Sequence, residues 1–173
     1  MQQDQITGYS EKLQIEKRYV TVTTKETLLE MVEAIEEASR ISLDTETTSL
    51  NPRKGKIIGF SITTKIGTGF YLPTLKWNNY TQKLEELLIE GKSTHNIAVR
   101  VMKMLKGKKL ICHNASFDLR YIKNYYGVSL IEDLWVDTAL LVHTVQEEGA
   151  GMGVFGLKPL AVSIQEHIGL NVE

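Results

Sequence analysis

Ile41-Ser-Leu-Asp-Thr-Glu-Thr-Thr-Ser-Leu50 sets two carboxylates, Asp44 and Glu46, one residue apart at the end of an apolar run. Residues Ile41 to Asp44 read as a strand. In a strand, residues i and i+2 point to the same face, so both carboxylates are expected to project together from the strand end. Two like charges held that close repel unless a cation lies between them. Carboxylate oxygens are hard ligands that suit Mg²⁺ or Mn²⁺. A divalent-metal site is therefore expected in the first third of the chain.

The elements around this strand indicate an α/β domain. Upstream, Arg18 to Thr24 alternates and is rich in β-branched residues, which predicts a short strand. Thr24 is placed to cap a helix whose apolar positions, Leu28, Leu29, Val32, Ile35 and Ala38, recur at helical spacing. Downstream, Asn51-Pro52 and Lys54-Gly55 mark a turn. Lys56–Thr64 and Gly69–Leu72 follow as two strands, so three strands come early in meander order. Trp77 to Leu88 is expected to mix a loop with a helical segment. Thr94 to Leu105 reads as a helix with Ile97, Val101, Met104 and Leu105 inward, and Lys108 to His113 as a strand. Helices are predicted over Ser116–Tyr126, ended by Gly127, over Asp137–Gln146, and over Leu157–Ile168. The order β–α–βββ–α–β–α–α implies a mixed sheet of about five strands with helices outside. Residues 1–17 are polar and irregular and are expected to form a flexible arm, leaving residues 18–173 as the domain.

Composition narrows the classes. With 42% hydrophobic and 24% charged residues among 173, the chain has the makings of one globular core. A net charge of −1 argues against DNA binding through bulk charge, though not against a local groove. The single cysteine, Cys112, excludes an intramolecular disulfide and fits a reducing cytoplasm. The first residues lack the features of a signal peptide, and no apolar run approaches membrane-spanning length. A cytoplasmic protein without membrane association is expected.

A second acidic position joins the first. In Leu110-Ile-Cys-His-Asn-Ala-Ser-Phe-Asp-Leu-Arg-Tyr-Ile122 a strand and a polar turn lead into a helix with Asp118 in its first turn, where the helix N-terminus favours a carboxylate. Leu119, Ile122 and Tyr126 would face the core, aiming Asp118 at the strand ends, where ligands gather in open α/β sheets. Asp44, Glu46 and Asp118 could then converge.

At this point the chain resembles a known family. Asp44-Thr-Glu46 is similar to the first motif of the DEDD 3′–5′ exonuclease superfamily, and His113-Asn-Ala-Ser-Phe-Asp118 to the second. Asp137-Thr-Ala-Leu-Leu-Val-His143 and Gly156-Leu-Lys-Pro-Leu-Ala161 resemble the segments that follow in the proofreading domain of family A DNA polymerases, most nearly those of phage type. The resemblance covers roughly residues 18–173 and implies a ribonuclease H-like fold. It also implies that Asp44, Glu46 and Asp118 serve two Mg²⁺ or Mn²⁺ ions. The reaction implied is hydrolysis of the 3′-terminal phosphodiester of DNA at a single-stranded or frayed end. Thr47, Leu50, Asn114 and Phe117 match positions near the terminal nucleotide, with Leu50 as a wedge and Phe117 as a stacking surface. The implied partners are DNA and a polymerase domain.

The chain departs from the family pattern in one respect. The family's fourth carboxylate belongs to a Tyr-x-x-x-Asp or His-x-x-x-x-Asp motif, and neither stands between Ala161 and Glu173. Either the chain is truncated at its C-terminus, or it is a small protein that lost or borrows that motif. Weak or absent exonuclease activity is expected in both cases. A non-catalytic module binding single-stranded nucleic acid or a polymerase is the alternative, and an RNA-directed exonuclease of the same superfamily a third.

Other residues have plainer readings. Asn114 can turn the backbone before its helix, and Asp137 suits an N-cap better than catalysis. His113 reads as structural, Cys112 as a buried hydrophobe, and His143 as a core or surface residue. Lys103, Lys106, Lys108 and Lys109 read as a solvated helix end. Gly151-Met-Gly-Val-Phe-Gly156 spells G-x-G-x-x-G without the strand and βαβ unit that a dinucleotide site needs, and reads as an inter-helix loop.

Overall fold

The computed structural model describes residues 17–145 and 156–168. The elements are β1 (Arg18–Thr21), α1 (Lys25–Glu37), β2 (Arg40–Thr47), β3 (Ile57–Thr63), β4 (Thr68–Pro73), β5 (Leu75–Asn78), β6 (Lys83–Glu86), β7 (Leu88–Ile89), β8 (Lys92–Ser93), α2 (Thr94–Met104), β9 (Lys109–Cys112), α3 (Ala115–Tyr126), β10 (Leu134–Asp137), α4 (Thr138–Val145) and α5 (Leu157–Ile168). The expected N-terminal arm, save Lys17, and the Gly151–Phe155 part of the glycine-rich stretch lie outside the described residues.

Strand β2 organises the sheet. Its residues alternate strictly, with Ile41, Leu43 and Thr45 buried and Arg40, Ser42, Asp44 and Glu46 exposed. The buried set meets Phe60 and Ile62 of β3, and these meet Leu72 and Phe70 of β4. The meander β2–β3–β4 is antiparallel, as its sequence pattern predicts. β1 adds parallel to β4, and β9 adds parallel to β2. The six-stranded order is β1-β4-β3-β2-β9-β10. Helices α1, α2 and α3 bury Met31, Ile35, Val101, Met102, Leu119 and Ile122 in the same core. The opposite face at β2 stays open, and Asp44 and Glu46 stand on it.

Two expectations need correction. Trp77–Leu88 contains no helix. β5 and β6 form a hairpin instead, in which Lys76 faces Glu85 and the Asn78 side chain accepts from Tyr80 N at 2.8 Å and Thr81 N at 3.2 Å. The Leu84, Leu87 and Leu88 spacing imitates a helical face, but the asparagine turn and the opposite-charge cross-strand pair favour the hairpin. The sheet also has six strands rather than about five. Leu134–Asp137, of which Asp137 was expected to open a helix, pairs parallel with β9 instead, and the following helix begins at Thr138.

Caps fall where residue types put them. Thr24 and Thr27 bond reciprocally at the start of α1. Gly127 closes α3 at φ 69°, a left-handed conformation that glycine adopts without steric cost. The lysine cluster does not act as one patch: Lys108 Nζ donates to Glu36 O at 3.1 Å and Ala38 O at 2.7 Å at the end of α1, while Lys109 Nζ lies 5.2 Å from the Trp135 ring centre.

Candidate functional site

The strand parity of β2 places Asp44 and Glu46 side by side on the open face. Asp44 pairs across with Ser61, and Glu46 with Gly59. The register shifts immediately after Glu46, where Thr47 pairs with Ile57. Such bulges bend a strand and re-aim its side chains. The Asp44 carboxyl is pushed above its ordinary value, first by desolvation, then by the negative charge of Glu46, while His113 pulls the other way. Its side chain reaches solvent, yet enough protein surrounds the carboxyl for burial to lead.

Asp118 arrives from the other side of the strand. It occupies the first turn of α3 and is 2% exposed. Its Oδ1 accepts from Thr45 N at 3.0 Å and Thr45 Oγ1 at 2.5 Å. Thr45 lies between the two exposed acids in sequence but points to the buried face, so it ties the Asp118 helix to the segment that bears them. Burial pushes the Asp118 carboxyl up to about 6; the hydrogen bonds from Thr45 oppose this, and the charge of Asp44 adds to it. The Cys112 thiol, at the end of β9, is pushed up to about 12 by burial and by the charges of Asp118, Asp137 and Asp44. Three acids thus lie within electrostatic reach of one strand end.

Two hard-oxygen carboxylates on one open face, one disfavoured in its charged form by the other, match a small divalent cation in donor chemistry. Asp118 turns one oxygen to Thr45. Among the described residues, no group of three or more His, Cys, Asp or Glu side chains is close enough to hold a metal ion.

The four residues matched to a terminal nucleotide sit at the end of β2, in the loop after it, or at the start of α3. Leu50 is 88% exposed. Thr47, the last residue of β2, donates from Oγ1 to Ser49 O at 3.1 Å, in the loop that carries Leu50. Phe117 is partly buried, its ring centre 5.0 Å from that of Tyr121. Asn114 takes φ 59° and ψ 53° ahead of α3, and its side chain makes no capping bond. Asparagine is among the residues that adopt that conformation most readily.

Asp137 does more than cap. Its carboxylate accepts from Ala139 N at 3.0 Å, as an N-cap should, and from Leu140 N at 3.4 Å. It also accepts from Asn114 N at 2.9 Å and Ala115 N at 2.8 Å. One side chain thus satisfies the starts of both α3 and α4 and fixes the turn before Asp118. His113 Nδ1 lies 2.9 Å from Thr138 Oγ1; Cys112 is buried, and His143 is exposed on α4.

Thr45 and Tyr121 were not legible as site residues. Tyr121 is fully buried, and its hydroxyl donates to Ser49 O and to Asn51 O, the latter at 3.1 Å, holding the loop that carries Leu50 against α3. A side chain at Gly55 would collide with that hydroxyl. The glycine was the available signal.

Comparison with known proteins bears on the family and the fold. The family model for the 3′–5′ exonuclease of family A DNA polymerases matches residues 19–166. DNA polymerase I of Borreliella burgdorferi is 33% identical over 110 residues, which cover 62% of this chain and 11% of that protein. The chain therefore matches only about a tenth of that relative's length. Among solved structures, the POL domain of Pol1 from M. smegmatis, in complex with DNA primer-template and dNTP, aligns with a TM-score of 0.59 at 18% identity. That alignment covers 86% of this chain and 23% of that one. RNase D of Escherichia coli, an exoribonuclease involved in structured RNA processing, aligns at 0.56 and 18% identity, covering 90% and 34%. These likenesses bear on the fold, which is ribonuclease H-like. With the family model spanning most of its length, the chain belongs to the 3′–5′ exonuclease domain family of family A DNA polymerases.

Proposed function

We propose that this domain hydrolyses the 3′-terminal phosphodiester of DNA, removing one nucleotide at a time, and serves proofreading beside a polymerase domain. The observation that carries the reading is the pair Asp44 and Glu46 on the open face of β2, with Asp118 locked to the residue between them. Asp44 and Glu46 would hold Mg²⁺ or Mn²⁺, and Asp118 would serve the second ion of a pair through water. Bound there, the ions would supply an activated water and stabilise the leaving oxygen. The chain's own residues do the placing. Tyr121 keeps the Ser49–Asn51 segment in position, so Leu50 stands exposed where it can press on a terminal base. Phe117 offers an apolar surface next to Asp118, and the Asn114 turn is fixed by Asp137.

These 173 residues supply three of the four carboxylates that the family resemblance calls for. Turnover by this polypeptide alone is therefore expected to be weak, undetected at ordinary enzyme concentrations and visible with enzyme in excess. The test is Mn²⁺-dependent shortening of a 5′-labelled single-stranded oligonucleotide, in DNA and in RNA versions. Slow shortening from the 3′ end of the DNA, absent in Asp44→Ala, supports the reading. Faster loss of the RNA would replace DNA by RNA as substrate. Rapid turnover that Asp44→Ala abolishes would remove the need for a fourth carboxylate.

A second reading keeps the fold and drops the chemistry. It is favoured by the way Asp118 turns towards Thr45, which leaves no three-acid group among the described residues. In that case the chain binds a single strand or a polymerase, and neither metal nor Asp44→Ala alters DNA affinity.

A further inference from the structure

Gly59 is the residue directly across from Glu46 on the open face. A Cβ built at Gly59 would collide with the Tyr71 hydroxyl, and would lie 2.6 Å from Tyr71 Cζ and 2.9 Å from Leu72 O. The phenol of Tyr71 therefore fills the space that a side chain at position 59 would take. Register explains how it gets there. Asp44, Ser61 and Tyr71 form one cross-strand row, and Glu46, Gly59 and Pro73 the next. Tyr71 starts in the Asp44 row and leans into the Glu46 row. Directly opposed side chains in an antiparallel pair stand about 4.5–5.5 Å apart at Cβ, so the hydroxyl occupies the position that faces Glu46 across the strand pair. In keeping with that placement, the Tyr71 phenol is pushed up by burial and by the charge of Glu46.

Resting on the metal-site reading above, we infer that Tyr71 is a positioning residue for Glu46. Its hydroxyl takes the place of a side chain at Gly59 and orients the Glu46 carboxylate towards a bound divalent cation. A purely structural role makes a different demand. An aromatic ring laid over a strand glycine stabilises a sheet by covering bare backbone, and for that the ring suffices. The fold contains its own control: a Cβ at Gly69 would lie 3.1 Å from Tyr19 Cδ1, a ring over a glycine one row beyond Tyr71, further from Glu46.

The experiment is Mn²⁺ titration of the full chain, read by loss of the free-ion EPR signal. The variants are Tyr71→Phe, Tyr19→Phe, Glu46→Gln and Tyr71→Phe with Glu46→Gln, each with its Tm. Tyr71→Phe keeps the ring over Gly59 and removes only the hydroxyl. It should weaken Mn²⁺ binding by about ten-fold, in the range of groups that orient metal ligands, with Tm unchanged. Tyr19→Phe should bind as the parent does. In the Glu46→Gln background Tyr71→Phe should add no further loss, because it acts through that carboxylate. Parent-like binding by Tyr71→Phe, or an equal loss with and without Glu46, overturns the inference. If the parent chain binds no Mn²⁺, or Glu46→Gln binds as well as the parent, the metal-site reading fails and takes this inference with it.

Discussion

Asp118→Asn tests the electrostatics of the site without any substrate. The Asp118 carboxyl is 2% exposed and is pushed up to about 6 from an ordinary value of 3.8. Burial is the leading cause, and the field of Asp44 adds to it. A carboxyl whose value is raised by folding is held more easily as the neutral acid. Its ionisation therefore costs stability above pH 6, and the cost fades as pH falls through 6 towards 3.8. A difference of about two pH units corresponds to ~3 kcal/mol as an upper figure. Asparagine is close in shape, is never charged, and keeps an oxygen for Thr45 N and Oγ1. In EDTA, thermal unfolding followed by circular dichroism should show Asp118→Asn more stable than the parent at pH 8. The gain should approach ~3 kcal/mol, or about 6–12 °C in Tm for a chain of this size. By pH 4 the gap should shrink to about 0.6 kcal/mol. A variant equal to the parent at every pH, or less stable by the same amount at pH 4 and pH 8, would refute the reasoning.

Three further outcomes follow from packing. Tyr121→Phe removes the donor to Ser49 O and Asn51 O and should cost about 1–2 kcal/mol. Hydrogen exchange should rise in residues 49–55 while α1 and α2 stay protected. Gly55→Ala sets a methyl group against the same phenol, 3.0 Å from Tyr121 Cζ. It should cost about 1–3 kcal/mol in urea unfolding, the usual penalty of overpacking. Among the described residues the buried Tyr126 hydroxyl meets no partner in good hydrogen-bond geometry, with Thr74 as its nearby polar group, so Tyr126→Phe should leave Tm unchanged or raise it. A fall of more than about 1 kcal/mol would reveal a partner for that hydroxyl.

Much of the fold was legible where local signals agree. The alternation of β2, the Thr24 cap and the Gly127 stop each state their role within a few residues. β10 was hidden because Leu134–Asp137 is four residues long and has no alternation of its own to display. Its identity comes from pairing with β9, across more than twenty residues. The same holds for the site. That Asp44 and Glu46 share a face follows from strand parity alone. That Asp118 bonds to Thr45 links residues 73 positions apart and depends on how α3 packs on the sheet. Asp137 was readable as the cap of α4, but its bonds to Asn114 and Ala115 depend on β9 and β10 lying side by side.

The most direct test of the whole account is the fate of a 5′-labelled single-stranded DNA incubated with excess protein and Mn²⁺. The account predicts slow shortening from the 3′ end by single nucleotides, lost on removing Mn²⁺ and lost in Asp44→Ala. Degradation that persists in Asp44→Ala, degradation that begins at the 5′ end, or DNA left intact by the parent chain would contradict it.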